Sequence, residues 1–109
     1  MTEARVTQAL DDMVQRIVLH FHPERIILFG SHAGGTPTGD SDLDLLVVMP
    51  LEGSRRAKAN EIDLALADRT VPLDVIVVTP DQFERQRNVI GTIICEAVHE
   101  GRVIYERAA

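Results

Sequence analysis

The sequence predicts an α/β protein in which helices cover a small mixed β-sheet, and three observations carry that expectation. Short apolar runs dense in strand formers occupy residues 25–29, 42–49 and 73–78, each bounded by glycine, serine or proline. Around them, apolar residues recur at three- and four-residue spacing, the period of an amphipathic helix. The stretch from Ser31 to Ser41 holds Gly34, Gly35, Pro37 and Gly39. It is too short for a full crossover helix, so the first two strands should pair antiparallel.

Taken in order, Val6, Leu10, Met13, Ile17 and Phe21, widened by Val14 and Val18, predict a first helix that Pro23 ends. The following run, Ile26-Ile27-Leu28-Phe29, is continuous rather than alternating, the pattern of a strand buried on both faces. A second strand runs from Asp42 to Met49 and stops at Pro50. Ser54 is placed to cap a helix through Ala59, Ile62, Ala65 and Leu66. Pro72 leads into the third strand, Leu73 to Val78. Pro80 and Asp81 open another helix, which breaks near residues 88–91 and resumes through Ile94, Val98 and His99. Gly101 caps it, and Val103, Ile104 and Tyr105 form a short closing strand. The order is helix, strand, strand, helix, strand, helix, helix, strand, with no internal repeat.

A chain of 109 residues is expected to form one domain over residues 1–109. Tryptophan is absent and aromatics are 4%, so the core must be aliphatic. The formal net charge of -6 repels phosphate backbones and argues against stable nucleic-acid binding. Cys95 has no partner for an internal disulfide, and its apolar neighbours place it in the core. Neither a membrane span nor the apolar core of a signal peptide is visible, which gives a cytoplasmic expectation.

The residues that carry chemistry are acidic. Asp42 and Asp44 stand two apart at the start of a strand, so alternation puts both carboxylates on one face and Leu43 and Leu45 on the other. Their backbone positions are roughly 6–7 Å apart by strand rise. At a separation of about 5 Å the two charges repel by about 3 kcal/mol at an effective dielectric near 20. A cation should offset that, and oxygen-only ligands suit a hard divalent ion such as Mg²⁺. Asp74 is a third carboxylate, set in the run Leu73-Asp74-Val75-Ile76-Val77-Val78, whose neighbours are expected to be buried. A lone buried charge there costs several kcal/mol unless paired or metal-bound. If the third strand lies beside the second, Asp74 joins the other two, and three carboxylates can hold two Mg²⁺ ions. Gly30 lets phosphate oxygens approach the backbone, and the Ser31 hydroxyl can hydrogen-bond them. No lysine follows these glycines, so the loop is not a P-loop.

Leu28-Phe29-Gly30-Ser31, then ten residues, then Asp42-Leu43-Asp44-Leu45 resembles the signature of the DNA polymerase β nucleotidyltransferase superfamily. The leading helix, Pro23-Glu24-Arg25 and Ser41 resemble its small stand-alone members, the minimal nucleotidyltransferases, which are often encoded beside a HEPN-domain toxin. The resemblance implies a polymerase β-like fold in which Asp42, Asp44 and Asp74 bind two Mg²⁺ ions and Gly30 and Ser31 hold the triphosphate of ATP. It implies attack of an acceptor hydroxyl on the α-phosphorus, with loss of pyrophosphate. In HEPN-paired members the acceptor is a tyrosine of the toxin, so a hetero-oligomer with that protein is the expected assembly.

One departure stands out. Small members carry arginine just after the serine and again two residues later, where this chain has His32 and Gly34, and Thr38 falls where many carry a basic residue. Histidine and glycine cannot reproduce the guanidinium fork; His32 is therefore the candidate to face the phosphates. Two other readings stay open at this level. One is a weak or inactive nucleotide-binding module that neutralises a partner by contact; the other is the catalytic subunit of a small-molecule nucleotidyltransferase. Other residues have plainer roles. His20 and His22 suit a helix end, Arg55, Arg56 and Lys58 a solvated helix start, and Tyr105 a packing position.

Overall fold

The computed structural model describes residues 3–30 and 42–108. Four strands form one mixed sheet, β1 (Arg25–Phe29), β2 (Leu43–Val48), β3 (Leu73–Val78) and β4 (Arg102–Glu106), in the order β3-β2-β1-β4. The described helices are α1 (Glu3–Phe21), α2 (Arg55–Ala65), α3 (Pro80–Gln86) and α4 (Ile93–Glu100). The element order is the one the sequence predicts, with β2 one residue shorter at each end. β1 pairs antiparallel with β2, as the short loop requires, and β2 pairs parallel with β3. The β2–β3 connection has room for the crossover helix a parallel pair needs, and α2 fills that place.

Alternation along the strands sends side chains into two separate cores. Leu43, Leu45 and Val47 meet Leu10, Met13 and Ile17 of α1 and Ile62 and Leu66 on the other side of the sheet from Leu46 and Val48. Leu46 and Val48 pack with Ile27, Phe29, Val78, Phe83, Ile94 and Ala97 under α3 and α4. This double burial explains the continuous apolar runs of β1 and β2. The α1 stripe expected from spacing is the buried one, with Val6, Val14, Val18 and Phe21 partly buried against it. Tyr105 packs there too, in the role expected of it.

Helix ends follow local chemistry. Ser54, Thr79 and Thr92 each accept a hydrogen bond from the backbone N–H three residues on, at 3.2, 3.1 and 3.1 Å, which satisfies a donor left open in the first turn. α1 stops where His22 takes a φ of 51° and its N–H bonds Val18 O at 3.1 Å, immediately before the buried Pro23. Arg16 clips α1 to the end of α2 and the turn after it, donating to Ala65 O at 2.8 Å and to Asp68 Oδ1 at 2.7 Å. Lys58 differs from the expectation of a solvated charge. It lies 5.9 Å from the Phe21 ring centroid and pairs with Glu61 at 2.8 Å.

Gly101 caps α4 as predicted, with its N–H on Ala97 O at 3.0 Å, but in extended rather than left-handed backbone. Its requirement is space. A methyl group there would press on the carbonyl oxygen of Ala97 and stand 2.7 Å from that of Leu28. Gly101→Ala should therefore cost about 1–3 kcal/mol, the range of an overpacked site. A denaturant midpoint unchanged from the parent would show that the helix end yields freely.

Candidate active site

β1 ends and β2 begins at the same end of the sheet. β1 finishes at Phe29, whose register partner is Asp44 near the start of β2. Asp44 is in turn the register partner of Asp74 on β3, one residue after Leu43 pairs with Leu73. Paired positions project to the same face of a sheet. Asp44 and Asp74 thus share the face that carries Leu46 and Val48 further along. Asp42, two residues before Asp44, precedes β2 and is exposed. The Leu43 N–H donates to Pro72 O at 2.9 Å, tying the start of β2 to the start of β3. Nothing in the pattern singles out Pro72; a backbone carbonyl leaves no mark on residue type.

Gly30 completes this edge. It has a φ of +78°, a left-handed conformation that turns the chain out of β1 at once. A Cβ at this position would run into the Asp44 carboxylate and stand 3.1 Å from its Cγ. The carboxylate occupies the volume a side chain at position 30 would need. Sequence reasoning assigns this glycine to phosphate approach; the structure adds that it makes room for an acidic group. Ser31 and His32, the other nucleotide-binding candidates, lie outside the described residues, as do Gly34 and Thr38.

One physical expectation for Asp74 is corrected. Its neighbours were expected to be buried, making the bare charge costly. β3 is an edge strand, and Asp74 is exposed with Leu73, Val75 and Ile76 only partly buried. Desolvation therefore gives no reason for a partner; register alone brings Asp74 to Asp44. The side chains as placed are not closed around a point, and among the described residues no three acidic, histidine or cysteine side chains form a metal-holding group. Among the described residues, no arginine or lysine is ion-paired with Asp42 or Asp74. A hard divalent cation suits the donor set. All three aspartates offer carboxylate oxygens, the backbone brings them to one end of the sheet, and exposed carboxylates turn toward a cation at small rotamer cost.

Comparison with known proteins bears on the family and the fold. A family model described as a nucleotidyltransferase domain matches residues 8–102. A protein of Methanocaldococcus jannaschii, provisionally named a protein adenylyltransferase, is 30% identical over 98% of this chain and 76% of its own length. The crystal structure of a provisionally named nucleotidyltransferase from Sulfolobus solfataricus superposes with a TM-score of 0.60 at 19% identity, over 96% of this chain and 86% of that one. That likeness speaks for the fold. A chain of a toxin–antitoxin crystal structure with AMP-PNP is more distant, with a TM-score of 0.47 and 22% identity over 98% of this chain and 75% of that one; it carries no argument on its own.

Proposed function

From the premise that this chain belongs to the nucleotidyltransferase domain family, we propose that it transfers AMP from ATP to a hydroxyl of a partner protein. The proposed acceptor is a tyrosine of a HEPN-type toxin, for which the chain acts as antitoxin. The observation that carries the transfer reading is the register of Asp44 with Asp74, beside Asp42 and over Gly30. The acidic balance of the chain favours a protein acceptor over a nucleic acid. The name of the archaeal relative and the Gly30-Ser31 to Asp42-Leu43-Asp44 signature point the same way.

In this reading Asp42, Asp44 and Asp74 hold two Mg²⁺ ions. When bound, those ions supply positive charge to the attacking and leaving oxygens of an in-line displacement. Gly30, with no side chain, leaves the backbone open to the phosphates, and Ser31 offers a hydroxyl to them. Asp74, on the edge strand and exposed, is assigned the role of accepting the acceptor's hydroxyl proton. The acceptor oxygen bonds to the α-phosphorus, the bond to the bridging oxygen breaks, and pyrophosphate leaves. The surface that positions the acceptor is assigned to the partner protein.

Asp74→Asn is expected to lower the transfer rate by roughly 10²–10⁴-fold, the usual worth of a positioned general base, with little change in the melting temperature of an exposed edge position. An equal rate in the two proteins would remove Asp74 from the site. The acceptor is tested by intact-mass spectrometry of a HEPN protein encoded beside this chain, after incubation with ATP and Mg²⁺. Gain of AMP on a tyrosine, lost in its phenylalanine variant, is the expected result. An unchanged mass with the two proteins still bound would replace transfer by inhibition through contact.

A further inference from the structure

An apolar surface at the corner between α3 and α4 is covered by no part of the described chain. Ile90 is 93% exposed, Val89 49% and Ile93 42%, and the three lie within five residues of one another around Gly91. Ile90 and Ile93 line a groove of about 630 Å³ together with Glu96, His99 and Glu100 of α4. The other exposed large hydrophobics, Leu19, Leu64 and Val103, are scattered along the sequence, as single surface residues often are.

The charges beside the groove say what it fits. Glu96 and Glu100 are four apart on one face of α4, and among the described residues neither is ion-paired. Like charges at that spacing repel. Glu100 is also the last residue of the helix, at the negative end of its dipole. Glu96, in the first turn, is favoured by the same dipole, so the cost falls on Glu100 and on the repulsion between the two, and cations placed against the pair relieve both. Ile93, three residues before Glu96, continues the same stripe.

We propose that this surface docks a helix of another protein whose apolar side chains are flanked by lysine or arginine. Val89, Ile90 and Ile93 bury the apolar stripe, and Glu96 and Glu100 meet the basic flank. None of Asp42, Asp44 and Asp74 lines the groove, so the inference stands or falls independently of the transfer reaction.

The test uses two fluorescent synthetic amphipathic helices of equal leucine content, one with lysine and one with glutamate on its polar face. At physiological salt the lysine peptide should bind and the glutamate peptide should not. Ile90→Asp should weaken binding by about tenfold or more, the effect of losing a central apolar contact. The pair Glu96→Lys and Glu100→Lys should turn the preference toward the glutamate peptide. All three positions are exposed, and thermal melts confirm that the variants fold. Failure of the lysine peptide to bind, equal binding of both peptides, or indifference to Ile90→Asp would each overturn the proposal. So would a dimer in sedimentation that Ile90→Asp dissolves, since the occupant would then be a second copy of this chain.

Discussion

Replacing Asp42 and Asp44 together by asparagine should lower AMP transfer by at least about a thousandfold, with the fold intact. The size follows from what is lost. Asparagine keeps the shape and one acceptor oxygen but not the charge, and two of the three carboxylates proposed to hold divalent cations become neutral. Interactions that stabilise developing charge in a phosphoryl transfer are worth roughly 3–4 kcal/mol each when removed singly, and metal binding depends on all the ligands together. Stability should respond as well. A cation held by these carboxylates stabilises the folded chain, so Mg²⁺ should raise the melting temperature of the parent and leave that of the variant unchanged. Rates measured with excess Mg²⁺, beside melts with and without it, check both statements. Parental activity in the double variant would mean that the catalytic centre lies elsewhere.

Gly30→Ala carries the second-largest expected effect, and it acts through two independent causes. The φ of +78° places the residue in the left-handed region, where a Cβ costs about 1–2 kcal/mol. The added methyl also meets the Asp44 carboxylate, so the chain must move the acid or unwind the turn. Either response displaces a group that positions reactants, and misplacement by about 1 Å costs on the order of a hundredfold in rate. The variant should therefore lose about 1–2 kcal/mol of stability and roughly a hundredfold of transfer. An alanine variant with both properties unchanged would show that Asp44 is free to swing away, and the site would lose its best-defined contact.

How far the sequence foretold these residues depends on the kind of force involved. The elements were legible because period and punctuation are local properties. Ile26 to Phe29 reads as a strand buried on both faces, and it lies at the centre of the sheet beside the second strand, read as Asp42 to Met49. Ser54 and Gly101 read as caps and serve as such. The run at Leu73 to Val78 shows the limit. It is as apolar as the other two, yet β3 is at the edge, because strand order is set by crossover geometry and not by composition. That is why the argument from burial failed for Asp74 while the argument from adjacency to β2 held.

The site was legible for a different reason. Asp42, Asp44 and Asp74 are charged residues at the margins of apolar strands, a conflict visible in the residue types alone. The contact of Gly30 with Asp44 was not visible, since it arises from the antiparallel return of β2 across the end of β1. The exposed corner at Val89, Ile90 and Ile93 was also missed. The break near residues 88–91 was legible, and only the fold shows that it leaves these apolar residues bare.

The central claim, that this chain moves the α-phosphoryl group of ATP to a protein, is met most directly by comparing two labels. ATP labelled at the α-phosphate and ATP labelled at the γ-phosphate are incubated separately with the chain, Mg²⁺ and lysate containing the neighbouring gene product. The account predicts a protein band carrying the α label and a γ label that leaves entirely as pyrophosphate. A band carrying the γ label, or release of either label with no protein modified, would contradict it.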